Sequence, residues 1–371
     1  IGEPTPDARK VEKILYLPVE IAARELPARE WLAETMHKKG FQVVVGNRWQ
    51  MQNWHNLPPG IILWKSANTQ DVGVFTEAIN SGHIIALMDE ELFPMQPRID
   101  LYRPSLDTRC LDRADIIFAH NEKQKELYEK MTKTPVVVTG NPRSLLISTA
   151  EKGDRVIICT MAGTLNNFGR SFQDMVSTTV RILGGATEKT FDFLAYQINH
   201  EINGYVWTRQ AIKDCRSLKP LIRCHPSEDV SFWSDFGEID DRTPFNQRLN
   251  DARCIVHVSG CGTGLDATLA GVPTVRLGEG GHGLSAKFGT GYTDDIETKV
   301  ARAKAKRKPE FNDVTLPVAL EALHRQHAFS CPFDIARAYK AQDFKPTEFH
   351  ENKFPMDPKG TLIGWRTALW N

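Results

Sequence analysis

The sequence predicts an α/β protein with two Rossmann-like lobes, each a parallel β-sheet flanked by helices. In both halves of the chain, short β-rich segments alternate with amphipathic helical segments, the pattern of a parallel sheet wrapped by helices. The chain has 371 residues, and because single cores stop growing at about 250–300 residues, we expect two domains. A polar stretch at 148–155, which holds no large apolar residue, separates the two alternating regions.

Domain boundaries follow from that polar stretch. We assign 1–147 to an N-terminal lobe and 148–340 to a C-terminal lobe. The tail at 341–371 contains several Phe and Trp residues as well as Pro. Disordered segments are poor in aromatic residues, so we expect this tail to pack on a lobe.

The N-terminal lobe is expected to alternate strands with helices, and Gly40 should end its first helix. The predicted strands are 13–17, 41–46, 60–64, 83–88, 114–119 and 135–139, and the predicted helices are 28–39, 71–81 and 122–131.

The C-terminal lobe repeats the alternation. Its predicted strands are 156–159, 220–224, 254–258 and 273–277, and its predicted helices include 190–203, 296–308, 317–329 and 333–339.

Composition excludes several classes of protein. Lys plus Arg and Asp plus Glu are balanced at 46 each, so nothing indicates a nucleic-acid partner. The 41% hydrophobic and 25% charged shares are those of a globular protein. We find no apolar run of membrane-spanning length and no signal peptide, and the seven scattered cysteines form no metal-ligand spacing. We therefore expect a cytoplasmic protein.

Two strand-to-loop junctions carry the strongest chemical signal. Ser259, Gly260, Cys261, Gly262, Thr263 and Gly264 follow a β-branched run and precede a helical segment. Backbone N–H groups and a helix N-terminus converge there, which suits a phosphate, although the glycines could serve only a tight turn. At the other junction, Pro226 ends a strand and leaves His225 at its carboxyl end, where α/β sheets bind ligands. His225 could instead be a core histidine. Glu228, three residues further on, could accept a hydrogen bond from a ribose hydroxyl of the donor, or be an exposed charge at a helix start.

Acidic residues end a strand of the first lobe. Asp89, Glu90 and Glu91 follow the apolar strand 83–88. Crowded carboxylates raise one another's pKa, which suits a general acid or base, and we name Glu90 and Glu91 as catalytic candidates. The alternative is a solvated run of charges.

No metal site is expected. The chain has no Asp-x-Asp triplet beside a strand, and binding through backbone amides and the Ser259 and Thr263 hydroxyls needs neither a metal nor a cofactor.

Six short motifs together resemble a known family. They are LPVE at 17–20 followed by Arg24-Glu25, MDEE at 88–91, TGNPR at 139–143, Asn166-Asn167, HPSED at 225–229 and SGCGTG at 259–264. In this order and spacing they are similar to bacterial surface-carbohydrate biosynthesis proteins among the GT-B glycosyltransferases, which have two Rossmann-like lobes and an active site in the cleft between them. The His-Pro pair with a Ser/Gly loop also resembles β-Kdo and sialyl transferases, although Gly262 stands where a second hydroxyl residue is expected.

The resemblance implies an activity. We expect a glycosyltransferase of surface polysaccharide assembly (capsule, O antigen or lipopolysaccharide) that transfers Kdo from CMP-Kdo to an oligosaccharide or lipid-linked acceptor, with peripheral membrane association left open. The alternatives are a UDP-sugar transferase or epimerase on the same fold, and a non-catalytic carbohydrate-binding scaffold.

The resemblance also suggests roles for further residues. Asn166 belongs with the donor-binding loop, and Arg143 could pair with an acidic sugar's carboxylate or tether the interlobe linker. Glu20, Arg24 and Glu25 follow the first strand and could bind the acceptor, or form salt bridges within their loop.

Asp192 is the last catalytic candidate. It lies on a helical stripe that is polar but carries only one charge, so it could act as a nucleophile or orient the sugar. An ordinary exposed aspartate is the alternative.

Overall fold

The computed structural model describes most of the chain. The described residues are 11–20, 22–49, 51, 53–90, 106–147, 150–151, 153–163, 165–167, 171–183, 185–241, 243–258, 262–278, 296–304, 315–327 and 368–370. They form two compact units. The first contains the described residues up to Leu146 together with those at 315–327 and 368–370, and the second contains those from Ile147 to residue 304.

The first unit contains a seven-stranded sheet. Its strands are β1 (Ile14–Val19), β2 (Gln42–Asn47), β3 (Ile61–Trp64), β4 (Ile84–Leu87), β5 (Ile116–Ala119), β6 (Val136–Val138) and β12 (Ala368–Trp370). They lie in the order β12-β2-β1-β3-β4-β5-β6. Every pair is parallel except β12 with β2.

Helices cover both faces of this sheet. They are α1 (Ala22–Lys38), α2 (Asp71–Asn80), α3 (Thr108–Arg113), α4 (Glu122–Glu129), α5 (Pro142–Leu146) and α11 (Leu316–His327). Alternate residues of one strand enter different cores: Tyr16 packs with Ile62 on one face and Leu15 with Ile61 on the other. Both faces are therefore buried, which explains why the strands read as continuous apolar runs.

The second unit contains a five-stranded parallel sheet. Its strands are β7 (Arg155–Cys159), β8 (Leu221–Arg223), β9 (Glu238–Ile239), β10 (Ala252–Val258) and β11 (Thr274–Leu277), in the order β11-β10-β7-β8-β9. Its helices are α6 (Phe172–Ile182), α7 (Glu188–Asp214), α8 (Phe245–Arg248), α9 (Gly262–Leu269) and α10 (Ile296–Arg302). A capping box of Ser171 and Asp174 starts α6.

Both sheets reverse their strand order beside the first strand of the unit. In the second sheet the chain runs from β7 outward to β8 and β9, then returns to place β10 on the other side of β7. In the first sheet the chain runs from β1 to β2 and then returns to place β3 on the other side of β1, so the reversal lies between β1 and β3. Open α/β sheets bind ligands at the carboxyl ends of the two strands that flank such a reversal.

The prediction of an α/β protein with two Rossmann-like units is confirmed by this topology. One assignment needs correction: α11 falls within the stretch assigned to the C-terminal lobe, yet Leu316, Leu320 and Leu323 pack in the core of the first unit. The end of the tail contributes β12 to the first sheet, and the helix predicted at 333–339 lies outside the described residues.

Candidate functional site

The loops that follow β7 and β8 are joined directly. The backbone N–H of His225 donates to Thr160 Oγ1 at 3.0 Å. Gly163 lies so close to the second loop that a Cβ on it would be 2.4 Å from Ser227 Oγ. A larger residue at 163 would therefore displace the Ser227 hydroxyl from its position between the two loops.

Glu228 lies beneath the two loops and is fully buried. Its Oε1 accepts the Ala162 N–H at 2.7 Å, and its Oε2 accepts the Thr160 hydroxyl at 2.8 Å and Trp233 Nε1–H at 2.5 Å. Burial raises the pKa of this carboxyl although the hydrogen bonds oppose the rise. The expected ribose contact of Glu228 is not supported, because its carboxylate faces the protein interior and holds the loops together.

Asn166 also has a local structural role. Its N–H donates to the Ala162 carbonyl at 2.8 Å, and its side-chain amide donates to the Asp229 carbonyl at 3.0 Å. These bonds close the loop after β7 onto the His-Pro loop.

The hydrogen bonds of the His225 imidazole indicate which of its two neutral tautomers the ring adopts. Its Nδ1 accepts the Ser227 backbone N–H at 3.3 Å and lies 2.7 Å from Ser227 Oγ. Because Nδ1 accepts, the ring proton belongs on Nε2, which is then a donor. His225 and Pro226 are both exposed, as expected for a binding position at the end of a strand.

Helix α7 passes closely over the carboxyl ends of β7 and β10. A Cβ on Gly204 would lie 2.9 Å from the Met161 carbonyl oxygen and 3.6 Å from Val258. Three residues earlier on α7, the buried Glu201 accepts the Leu165 N–H at 3.2 Å. The loop after β7 is thus held by two carboxylates, Glu228 and Glu201.

The loop after β10 is described only in part. Three of its candidate residues lie outside the described residues: Ser259, Gly260 and Cys261. Helix α9 begins at Gly262, with Thr263 in its first turn. Gly264 packs on the ring of His257, where a Cβ would come within 2.2 Å of Cε1. Gly264 therefore allows α9 to pack closely on β10. This agrees with the alternative that the glycines of this loop serve the geometry of a tight turn.

Asp192 does not reach this edge of the sheet. It is exposed near the start of α7, twelve residues before Gly204. At 1.5 Å rise per residue, that places it about 18 Å along the helix from the carboxyl ends of β7 and β10. The alternative of an ordinary exposed aspartate fits the structure better.

A network of buried charges lies at the strand reversal of the first sheet. Lys65, fully buried after β3, places Nζ 2.6 Å from Glu20 and 2.8 Å from Glu25. Arg48, after β2, contacts Glu20 at 2.9 Å and Asp71 at 2.7 Å. Burial raises the pKa of Asp71, and the charge of Arg48 opposes that rise.

This network decides between the alternatives for the loop after β1. Glu25 is buried, its Oε1 pairs with Lys65 and its Oε2 accepts the Glu20 N–H at 2.8 Å, so salt bridging accounts for it. Glu20 keeps 29% of its side chain exposed and remains a candidate acceptor contact. Arg24 lies in α1, and its side chain is outside the described ones.

The acidic residues after β4 are buried rather than solvated. Asp89 is buried, and the buried Glu90 lies 3.4 Å from Arg29 and accepts Asn141 Nδ2–H at 3.2 Å. Glu91 lies outside the described residues. A general acid must reach its substrate, so the burial of Glu90 argues against the catalytic role expected for it.

Arg143 lies in the helix that follows β6. It lies in α5 and is half-buried, and its backbone N–H donates to Asn141 Oδ1 at 2.8 Å. The other donor-binding candidates lie in the second unit.

Among the residues that the structure describes, no group of three or more His, Cys, Asp or Glu side chains could hold a metal ion. No helix in the described part is both long and apolar enough to cross a bilayer.

Comparisons with known proteins give structural matches only. No protein-family model and no curated protein match the chain. Among solved structures, TarM matches 72% of this chain at 12% identity with a TM-score of 0.34, and the match spans about half of TarM, 51% of its length.

Two further solved structures match over most of their length. A protein described as a UDP-N-acetylglucosamine 2-epimerase from Listeria monocytogenes matches 89% of this chain and 94% of its own, at 14% identity and a TM-score of 0.43. The spinosyn forosaminyltransferase SpnP matches 86% and 95%, at 11% identity and a TM-score of 0.37. Matches this distant carry no argument about activity, and the two-unit fold is established by the strand order itself.

Proposed function

We propose that this protein is a nucleotide-sugar-dependent glycosyltransferase of the GT-B type, whose second unit binds the donor. The observation that carries the proposal is the exposed imidazole of His225, held at the carboxyl end of β8 with its proton on Nε2. Strand β8 is the neighbour of β7, one of the two strands that flank the strand reversal of the second sheet, where α/β proteins bind nucleotides.

The chemistry of this edge suits a diphosphate or phosphodiester. An imidazole N–H donates to phosphate oxygens near neutral pH, and the N-terminus of α9 adds the positive end of a helix dipole. Glycines at 163 and 264 keep the surrounding loops tightly packed. Together these features support an anionic leaving group stabilised by protein donors, without requiring a metal ion.

The donor we propose is CMP-Kdo, and the acceptor is a saccharide of a surface polysaccharide. The support is the similarity of the His-Pro pair and the Ser/Gly loop to transferases that use CMP-activated acidic sugars.

Glu20 is the residue of the first unit that we propose for the acceptor. Its Oε2 contacts both Lys65 and Arg48, and these two contacts orient the carboxylate. Carboxylate oxygens held in this way are good acceptors for sugar hydroxyl groups.

Calorimetry with CMP and UDP tests the donor site. We expect wild-type protein to bind CMP more tightly than UDP, and His225→Gln to weaken that binding about tenfold or more, because one charge-assisted hydrogen bond is lost. His55→Gln, which changes an exposed histidine of the first unit, is the matched control and should bind like wild type. Equal affinities in wild type and His225→Gln would contradict the assignment.

Transfer assays then separate the activities. Release of CMP from CMP-Kdo that depends on a saccharide acceptor supports the proposal. Tighter binding of UDP than CMP would replace the Kdo assignment with a UDP-sugar enzyme, and binding of neither nucleotide would count against a glycosyltransferase.

A further inference from the structure

One hydroxyl group connects the buried carboxylate to the exposed histidine. Thr160 Oγ1 donates its hydrogen to Glu228 Oε2 at 2.8 Å and accepts the His225 backbone N–H at 3.0 Å. Thr160 is itself buried at the end of β7. A hydroxyl has one hydrogen and two lone pairs, so committing the hydrogen to Glu228 turns a lone pair toward His225.

Glu228 has little freedom to turn. Its Oε1 is held by the Ala162 N–H at 2.7 Å, and its Oε2 also accepts Trp233 Nε1–H, from a side chain that is fully buried. Donors thus approach both carboxylate oxygens from fixed backbone and ring positions. The orientation of the Thr160 hydroxyl is set by this carboxylate.

The turn that follows His225 completes the chain of contacts. The Ser227 N–H reaches back to His225 Nδ1 at 3.3 Å, and the Glu228 N–H donates to the His225 carbonyl at 2.9 Å. The segment 225–228 therefore carries the imidazole ring, the backbone N–H that donates to its Nδ1 and the Glu228 carboxylate. A shift of the His225 backbone moves the ring relative to the Ser227 N–H.

We propose that Thr160 and Glu228 are positioning residues for His225: by fixing its backbone, they hold the imidazole in the tautomer with the proton on Nε2, the tautomer that can donate from Nε2 to an anionic ligand. The role in ligand binding rests on the proposed function. The control of the tautomer does not, because it concerns only contacts within the protein.

Nuclear magnetic resonance of the histidine rings tests the tautomer directly. In protein labelled with ¹⁵N-histidine, the His225 signals are identified by their loss in His225→Gln. We expect wild type and Thr160→Ser to carry the proton on Nε2, and Thr160→Val, which has the same shape without the hydroxyl, to show a mixture of tautomers. An unchanged tautomer in Thr160→Val overturns the proposal.

Nucleotide titration gives the second readout. Thr160→Val should weaken CMP binding about tenfold, the factor that corresponds to 1.4 kcal/mol, while Thr160→Ser should stay within about twofold. Thr179→Val, which removes a hydroxyl bonded to the Met175 carbonyl in α6, is the control for loss of a threonine hydroxyl elsewhere. Wild type that binds no nucleotide defeats the proposed function, and the ring signals still decide the positioning role.

Glu228→Gln provides an independent variant should Thr160→Val fail to fold. A glutamine places an amide NH₂ where Oε2 or Oε1 stood, facing either Thr160 and Trp233 or the Ala162 N–H. We expect the His225 tautomer to become mixed in this variant as well. Retention of the wild-type ring signals in a folded Glu228→Gln protein overturns the proposal.

Discussion

At the scale of single residues, the least ordinary feature is a lysine with no exposure to water. Lys65 is buried completely and its ammonium group contacts two carboxylates, Glu20 and Glu25. A buried charge is tolerated only when it is paired, and removing one partner leaves the others desolvated and uncompensated. Lys65 therefore has a larger effect on stability than a surface lysine.

Substitution of Lys65 by Met measures this effect. We expect Lys65→Met to lower the free energy of unfolding by about 3–5 kcal/mol in urea titrations, because Glu20 and Glu25 lose their ammonium partner. Lys38→Met, which removes one end of an exposed pair with Glu34, should cost less than about 0.5 kcal/mol. Similar costs for the two variants would show that the buried network contributes no more than a surface pair.

Part of this network is predictable from the sequence. Glu20 and Glu25 are candidates because they follow the first strand. Lys65 and Arg48 follow β3 and β2 in the same way, so the signal was present but a lone cation after a strand is common. The burial of Glu228 could not be read from the sequence, since it depends on Trp233 and Ala162 closing around the carboxylate.

At the scale of elements, glycines set how closely helices approach the second sheet. Gly264 lets α9 rest on the His257 ring of β10, and Gly204 lets α7 cross above Met161 and Val258. Glycine inside a helix makes the helix less stable than alanine does. Both helices are therefore locally less stable at these positions, but they pack more closely on the sheet.

Alanine substitutions distinguish a glycine that close packing requires from one that only lowers the stability of its helix. Gly264→Ala should destabilise the protein by about 1–3 kcal/mol, because the added methyl group overlaps the His257 ring. Gly73→Ala in α2, where a Cβ meets nothing within 4 Å, should instead stabilise it by about 0.5–1 kcal/mol. Urea unfolding of both variants checks the opposite signs, and a stabilising Gly264→Ala would rule out the packing role.

The sequence predicted where most strands lie but not the extent of some helices. Short runs of β-branched residues strongly favour strands, and β1, β3 and β10 fall close to their predicted positions. Helix α7 spans 27 residues, whereas its pattern was recognised only over 190–203. Gly204 interrupts the propensity there, and the reason for that glycine is a contact with another element.

At the scale of the whole molecule, the chain leaves the first unit after Leu146 and later returns to it. Helix α11 packs against the core that contains β1 and β2, and Lys39 of the first unit forms an ion pair with Glu321 at 2.7 Å. The helix pattern of α11 was readable from the sequence. Its membership of the first unit was not, because periodicity shows which face is apolar but not what covers it.

Hydrogen exchange can assign α11 by its effect on stability. Leu320→Ala, at a fully buried position, should cost about 2–5 kcal/mol and speed amide exchange in β1 and β2 rather than in β7 and β10. Val318→Ala, at a side chain that is 59% exposed, should change stability by less than about 0.5 kcal/mol. Faster exchange confined to β7 and β10 would contradict the assignment.

The pairing of β12 with β2 has a consequence for biosynthesis. During translation β2 leaves the ribosome long before Ala368–Trp370 is synthesised. The peptide groups on the outer side of β2 therefore lack their β12 partner while the second unit is being made. An unpaired strand edge is a template for association with other chains. Nascent or prematurely terminated chains should therefore aggregate more readily than the completed protein and depend more on chaperones.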